Sequence, residues 1–162
     1  MKEIYLTQGK IALIDDEWFE EFIKYKWQAH YDPVTQAYYA VRRESVFLGH
    51  KSIQMSRVVI GAPENTFVDH IDHNTLNNQA ENLRLATVAQ NQYNRKPNRN
   101  NPTGYKGVKP HGRGYMARIR VNGVELYLGT WDTPQQAAAI YDKAAKEYFG
   151  DYAYLNFPES QL

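Results

Sequence analysis

The residues best suited to chemistry lie between positions 67 and 94, where Asp, His and Asn side chains are concentrated. Asp69-His70 is followed by Asn77-Asn78, by Glu81-Asn82-Leu83-Arg84 and by Gln90-Asn91. Ten of the chain's twelve Asn residues lie between positions 65 and 101. Asparagine supplies turn geometry, amide crosslinks and neutral oxygen ligands. The clustering therefore indicates a tightly crosslinked loop that carries a site.

This pattern resembles the HNH nuclease family, and more narrowly its phage and bacterial homing-type members. The resemblance is carried by Val68-Asp69-His70 together with Asn82 and Asn91, at intact spacing. That family builds a ββα-metal unit, in which two strands and a helix surround one divalent ion. The resemblance therefore implies a nuclease unit over residues 62–95.

The resemblance also implies a role for each of four polar residues. Asp69 would be the anionic metal ligand, and Asn91 would add an amide oxygen from the first turn of a helix. One carboxylate and one amide oxygen suit Mg²⁺, with Mn²⁺ as the second choice. His70 would be the general base, because an imidazole pKa of about 6.5 lets it accept a proton at neutral pH. Asn82 would orient the His70 ring across the loop.

Other interpretations of these residues stay open. Loops rich in His and Asn also form plain turns, and Asp69 alone would suit a helix cap or a surface acid. We expect His73 to be a surface turn residue, with an extra metal ligand as the alternative. Asp72 is expected to make turn hydrogen bonds, with an indirect contact to the metal as the alternative. Asn91 stands where many HNH enzymes have His, which disfavours zinc-type ligation.

A second resemblance, to the AP2/ERF DNA-binding domain, covers nearly all of residues 104–157. The segments that carry it are Gly104-Tyr105-Lys106-Gly107-Val108-Lys109, Tyr115-Met116-Ala117-Arg118-Ile119-Arg120, Leu128-Gly129-Thr130-Trp131, Ala137-Ala138 with Tyr141-Asp142, and Leu155-Asn156-Phe157. Such domains place a three-stranded sheet in the DNA major groove and pack a helix behind it. The resemblance implies the groove-facing residues Lys106, Lys109, Arg113, Tyr115, Arg118, Arg120, Glu125 and Tyr127.

Three segments alternate like strands, from Gly104 to Lys109, from Tyr115 to Val121 and from Leu126 to Leu128. The second of these predicted strands supports part of this assignment. A period of two places Arg118 and Arg120 on one face, with Ala117 and Ile119 on the other. Lysines replace the arginines that plant relatives usually have at positions 106 and 109, and lysine gives up bidentate guanine recognition. No target sequence is therefore transferred. A positive sheet that only grips phosphates is the alternative.

The net charge of +1 hides a strong asymmetry. Residues 1–81 carry 8 basic and 12 acidic side chains, residues 82–124 carry 9 basic and none acidic, and residues 125–162 carry 2 and 6. A basic stretch of this kind is a candidate polyanion-binding surface, with a solvated linker as the alternative. We expect Arg84, Arg95, Lys96 and Arg99 to contact DNA. For the last three the resemblance gives the reason, because such linkers run along the DNA backbone in related homing enzymes.

Composition excludes several classes of protein. The 162 residues include no Cys, which removes disulfides, thiolate zinc sites and Cys nucleophiles. No apolar run approaches the length of about 18 residues that a membrane span needs. The N-terminal sequence lacks a signal-peptide core. We therefore expect a cytoplasmic protein with no membrane partner. The resemblance to homing-type nucleases implies that the cell is bacterial or phage-infected.

The predicted secondary structure surrounds these motifs with short strands and helices. Two strands flank the turn at Gln8-Gly9, a helix starts near Asp15, and hairpins are centred on residues 32–35 and on Gly49, the second involving Leu48. The best-marked helix has Thr133 as N-cap, Pro134 at its first position and Gln136 completing a capping box. It ends at Gly150. Its predicted buried stripe comprises Ala137, Ala138, Tyr141, Ala144, Ala145 and Tyr148.

The sequence as a whole predicts a modular α+β endonuclease that acts on double-stranded DNA. Its predicted segments are a β-rich scaffold over residues 1–61, the nuclease unit over 62–95, a basic linker over 96–103 and the AP2-like domain over 104–158. A monomer or weak dimer would nick one strand per binding event at a selected site. The alternatives are a DNA-binding regulatory protein with an inactive centre, and an RNA-directed or non-specific nuclease.

Overall fold

The fold is α+β, as the sequence predicts. The computed structural model describes residues 1–47 and 49–158, so Leu48 of the second predicted hairpin lies outside the described residues. Within them the structure has ten strands in four small antiparallel sheets, and four α-helices. In chain order these are β1 (Lys2–Tyr5), β2 (Ile11–Ile14), α1 (Asp16–Phe22), β3 (Gln28–Asp32), β4 (Ala37–Val46), β5 (Gly49–Gln54), α2 (Met55–Val59), β6 (Phe67–His70), β7 (Leu83–Ala86), α3 (Val88–Asn94), β8 (Val108–His111), β9 (Gly114–Val121), β10 (Val124–Trp131) and α4 (Pro134–Phe149).

The chain forms two compact units, an N-terminal unit of Met1–Val88 and a C-terminal unit of Ala89–Leu162. The boundary falls after the first residue of α3. The predicted division into four segments stays a prediction. Within the part of the chain that the structure describes, no helix has the length and apolar character needed to cross a membrane.

One hydrophobic core holds the N-terminal unit together. Ile14, Phe22 and Met55 are among its largest fully buried side chains, and Trp27 is almost as well buried. The Phe22 ring lies 5.1 Å from the Trp27 ring, and the Trp27 indole N–H donates to the Phe22 carbonyl at 3.0 Å. Leu83 of β7 belongs to the same cluster. The strands of the nuclease motif are therefore anchored in the core that the first 60 residues build.

The β1–β2 hairpin supports the loop between β6 and β7 directly. The Leu13 N–H donates to the Leu76 carbonyl, and the Asn78 N–H donates to the Leu13 carbonyl, both at 2.8 Å. The Asp15 carboxylate accepts from the Ala80 N–H at 2.7 Å and from the Gln79 side chain at 3.3 Å. These bonds satisfy backbone groups of the loop. The N-terminal strands thus fix the position of a loop that lies more than 60 residues away in sequence.

The C-terminal unit packs α4 against the three-stranded sheet β8-β9-β10. Ala117 and Ile119 of β9 are buried with the alanines and Tyr141 of α4. The predicted capping box is confirmed. The Thr133 hydroxyl accepts from the Gln136 N–H at 3.3 Å, and the Gln136 side chain accepts from the Thr133 N–H at 3.1 Å. The helix ends at Gly150, also as predicted.

Two details of this unit differ from the prediction. Tyr148 is 48% exposed, and Phe149 takes its place in the core. Phe149 follows Ala145 by four positions and therefore continues the buried row of the helix. The first strand starts at Val108 rather than Gly104, because Gly104 and Gly107 have φ values of +74° and +75° that break an extended strand. A Cβ at Gly107 would overlap the Tyr141 ring, so glycine lets this turn approach α4.

Candidate functional site

Asp69 and His70 are consecutive buried residues at the end of strand β6. The strand pairs antiparallel with β7, which places Asp69 opposite Arg84 and His70 opposite Leu83. Asp69 is 5% exposed and His70 is 6% exposed. Burying two titratable groups side by side is costly unless neighbouring polar groups compensate. Such a pair is typical of a functional site.

Arg84 compensates the charge of Asp69. Its Nε and Nη2 donate to the same carboxylate oxygen, Oδ2, at 2.8 and 2.7 Å. The side chains are 16% and 6% exposed respectively, so the pair is shielded from water. Charge-assisted hydrogen bonds of this length are strong. The structure therefore gives Arg84 a structural partner inside the site, whereas its predicted contact with DNA stays a prediction.

Burial controls the protonation of His70. It lowers the pKa of the imidazole below the ordinary value of 6.5. A hydrogen bond with the Asn78 side chain and the negative charges of Asp72 and Asp69 act in the opposite direction, and more weakly. The Tyr39 ring covers one side, edge-on, at 6.4 Å between ring centroids. The imidazole is therefore mostly neutral at neutral pH, which is the form a general base requires.

Asn82 holds the loop that follows β6. Its Oδ1 accepts from the Asp72 N–H at 2.9 Å, and its Nδ2 donates to the Asn77 carbonyl at 2.8 Å. Asp72 makes the turn hydrogen bonds expected of it, accepting from the Asn74 N–H at 2.7 Å and the Asn77 side chain at 2.8 Å. His73 adopts the left-handed conformation of a turn residue, with φ of +62°. That Asn82 orients His70 stays a prediction.

Asn78 is the polar neighbour of His70 to which the sequence assigned no role. It is 1% exposed, its side chain donates to the Leu76 carbonyl at 3.1 Å, and it raises the pKa of His70 against the effect of burial. The signal in the sequence was the Asn77-Asn78 pair itself, because a buried amide must find partners on both its oxygen and its nitrogen.

Asn91 lies on helix α3 and is half-buried. It belongs to the C-terminal unit, whereas Asp69, His70 and Asn82 belong to the N-terminal one. Its pairing with Asp69 around a metal therefore stays a prediction. No group of three or more His, Cys, Asp or Glu within the described residues could hold a metal ion. The predicted donors, one carboxylate and one amide oxygen, fit only an ion that keeps several waters, as Mg²⁺ does.

Five of the eight predicted groove-facing residues share the face of the β8-β9-β10 sheet opposite α4. The strand register pairs Arg118 with Tyr127, Arg120 with Glu125, and Lys109 with Met116. Arg118 Nη1 donates to both Glu125 carboxylate oxygens at 2.9 and 2.8 Å. Arg113 lies in the turn between β8 and β9 and is exposed. The residues on this outer face are Lys109, Met116, Arg118, Arg120, Glu125, Tyr127 and Thr130.

Two of the eight are placed elsewhere by the structure. Tyr115 has the parity of Ala117 and Ile119, and it packs into the core beside Val108. Lys106 lies in the turn before β8, and its ammonium donates to backbone carbonyls near the end of α3. Alternation from Ala117 already excludes Tyr115 from the outer face. The structure therefore places neither side chain on the outer face of the sheet where the other five lie.

The linker residues Arg95, Lys96 and Arg99 are all exposed. Together with the basic residues on the outer face of the sheet, they make up most of the basic side chains of residues 82–124. Their predicted contact with the DNA backbone stays a prediction.

Comparison with known proteins agrees with both resemblances. Residues 60–93 match the family model described as HNH endonuclease. An uncharacterized HNH endonuclease of Acanthamoeba polyphaga mimivirus is 33% identical over 150 residues, which is 92% of this chain and 76% of that protein. Protein 3.8 of Escherichia phage T7 is 32% identical over 93 residues, 56% of this chain and 76% of that protein.

A segment of the chain is similar to plant proteins. Dehydration-responsive element-binding protein 2D of Arabidopsis thaliana is 48% identical over 59 residues, which is 35% of this chain. The aligned segment spans only 29% of the plant protein. The similarity therefore concerns one module of AP2/ERF type and not the whole plant protein.

Proposed function

Because this chain belongs to the HNH endonuclease family and carries an AP2/ERF-like segment, we propose that it is a site-selective, homing-type endonuclease of double-stranded DNA. The proposed reaction hydrolyses one phosphodiester bond per binding event and leaves 5′-phosphate and 3′-hydroxyl ends. The protein would act as a monomer or weak dimer in a bacterial or phage-infected cell. The burial of Asp69 and His70 side by side at the end of β6 is the observation that carries this proposal.

Asp69 and Asn91 would hold one divalent ion, Mg²⁺ first and Mn²⁺ second. When bound, such an ion supplies charge stabilisation for the phosphate oxygens and the departing oxygen. Arg84 would keep the Asp69 carboxylate in one orientation through its two bonds to Oδ2. That arrangement offers the carboxylate to a ligand in a fixed pose rather than as a freely rotating group.

His70 would take the proton from the attacking water. Its lowered pKa favours the neutral imidazole, and the buried Asn78 side chain lies beside the ring. Asn82 would act through the loop, because it fixes the backbone on which Asp72 and Asn77 lie. His70 is thus the proposed catalytic residue, and Asn78 and Asn82 are proposed positioning residues.

The C-terminal unit would choose the site of cleavage. Lys109, Arg118, Arg120 and Tyr127 on the outer face would meet the DNA groove, with Arg113 at the turn. Arg95, Lys96 and Arg99 would contact phosphates along the backbone, which positions the protein without reading sequence. The basic stretch, which has no acidic side chain between residues 82 and 124, supports this arrangement.

A substrate comparison tests the proposal. The wild-type protein is incubated with supercoiled plasmid, with linear random DNA and with RNA, each in Mg²⁺ and in EDTA. We expect nicked plasmid in Mg²⁺ at discrete positions, and no cleavage in EDTA or of RNA. Broad degradation of all three nucleic acids would reject site selection. Tight plasmid binding without any nicking would favour a DNA-binding regulatory protein.

A further inference from the structure

The ammonium group of Lys106 lies against the C-terminal end of helix α3. Its Nζ donates to the carbonyls of Tyr93 and Arg95, both at 2.6 Å, and more weakly to that of Gln92 at 3.3 Å. The last carbonyls of a helix have no partner within the helix and carry partial negative charge. One lysine thus satisfies several of these acceptors at once. Burial lowers its pKa to about 8, so it stays mainly protonated at neutral pH.

The backbone of Lys106 is itself fixed to helix α4. The Asn156 Oδ1 accepts from the Lys106 N–H at 2.7 Å, and the Asn156 Nδ2 donates to the Lys106 carbonyl at 3.2 Å. Asn156 in turn donates from both its backbone N–H and its Nδ2 to one oxygen of Asp142, at 2.9 and 2.8 Å. The framework of the AP2-like fold therefore presents the lysine in one position.

Tyr93 is held by the same framework through two further contacts. Its ring stacks on Phe149 of α4, with 3.8 Å between ring centroids and 7° between planes. Its carbonyl accepts from the Tyr154 N–H at 3.1 Å as well as from Lys106. Stacked aromatic pairs contribute beyond the area that they bury. Both the side chain and the backbone of Tyr93 are thus integrated into the C-terminal unit.

We propose that Lys106 and Phe149 are positioning residues of the nuclease. They clamp α3 to the AP2-like part of the C-terminal unit, so that Asn91 moves together with the sheet proposed to contact DNA. Asn91 lies two positions before Tyr93 on this seven-residue helix. Where the AP2-like unit settles on DNA then sets where the Asn91 amide oxygen lies. The inference rests on the proposed function in one respect, the assignment of Asn91 as a metal ligand.

The test compares Lys106→Met with Lys143→Met in the full-length protein. Both changes remove one positive charge from the C-terminal unit, but Lys143 lies on the exposed side of α4. Three quantities are measured: amide hydrogen exchange at residues 93–95, Mn²⁺ binding by electron paramagnetic resonance, and plasmid binding in Ca²⁺. We expect Lys106→Met to accelerate exchange and to weaken Mn²⁺ binding about tenfold, the size typical of losing a group that orients a ligand. Plasmid affinity should equal that of Lys143→Met.

A second variant, Tyr93→Leu, removes the stack on Phe149 without changing Lys106, and it should accelerate the same amide hydrogen exchange. Thermal unfolding checks that each variant folds. Unchanged exchange in Lys106→Met would overturn the clamp, as would a loss of plasmid affinity with Mn²⁺ binding intact. Absence of Mn²⁺ binding by the wild type would instead overturn the metal centre of the proposed function, while exchange still reports on the clamp.

Discussion

Arg84 holds Asp69 by two hydrogen bonds to a single oxygen, from Nε at 2.8 Å and from Nη2 at 2.7 Å. The two residues face each other across the β6–β7 pair. The site therefore contains a fixed carboxylate rather than an isolated one. Any ion that binds Asp69 must share this carboxylate with the guanidinium.

Removing the guanidinium should destabilise the N-terminal unit. Arg84→Met removes the two hydrogen bonds that the guanidinium donates to the buried Asp69 carboxylate, and losing one member of a buried pair typically costs about 3–5 kcal/mol. Arg84→Lys keeps the charge but loses the planar pair of donors, so its stability should lie between that of Arg84→Met and that of the wild type. The free energy of unfolding in urea at neutral pH checks this. A value for Arg84→Met equal to that of the wild type would contradict it.

The metal-free protein should lose stability as the pH falls below about 6.5, the pKa expected of histidine in the unfolded chain. Burial lowers the folded-state pKa of His70, so the unfolded state binds more protons between the two pKa values. This contribution is complete above pH 6.5 and declines as the pH drops toward the folded-state pKa. Nuclear magnetic resonance titration in EDTA should give a midpoint for His70 below 6.5. A midpoint above 6.5 would show that the neighbouring carboxylates outweigh burial.

Asp15 should affect cleavage from a distance. Asp15→Ala removes the acceptor of the Ala80 N–H and of the Gln79 side chain, which loosens the loop that carries Asn78. We expect slower nicking with unchanged plasmid affinity. Asp16→Ala is the matched control, since Asp16 pairs with the N-terminal amine at the surface. Equal nicking rates for the two variants would reject a role for the β1–β2 hairpin in holding the site.

The outer face of the sheet should account for much of the affinity for DNA. Arg120→Ala should weaken plasmid binding, and Lys143→Ala on α4 should not. If Arg120 contacts phosphate, the slope of log affinity against log salt should flatten by about one; if it contacts bases, site preference should relax instead. Tyr115→Phe should leave binding unchanged, because Tyr115 faces the core. Wild-type affinity in Arg120→Ala would reject this face as the DNA contact.

Local patterns in the sequence were enough to predict the C-terminal unit in outline. The Thr133 and Gln136 capping box fixed the start of α4, and alternation placed Ala117 and Ile119 in the core. The prediction of the buried face of α4 was wrong at its end, where two aromatic residues compete for one position. Tyr148 and Phe149 are consecutive on the helix, and only the packing against the sheet decides which one is buried.

Contacts between distant segments could not be read from the sequence. The Lys106 ammonium contacts carbonyls 11 to 14 positions earlier, although the AP2/ERF resemblance implied that it faces the DNA groove. Leu13 of β2 holds the backbone of Asn78 beside His70, and nothing near Asn78 in sequence indicates that support. A pattern of residue types does not predict which distant backbone carbonyl a side chain will bond.

Nicking of supercoiled plasmid in Mg²⁺ by the wild type, His70→Ala and His50→Ala is the most direct test of the central claim. His50 is exposed on β5, where it pairs with Ser45, and serves as the matched control. We predict that the wild type and His50→Ala nick equally, whereas His70→Ala nicks at least about a hundredfold more slowly while binding plasmid as tightly. Nicking by His70→Ala at the wild-type rate would contradict the assignment of His70 as the general base.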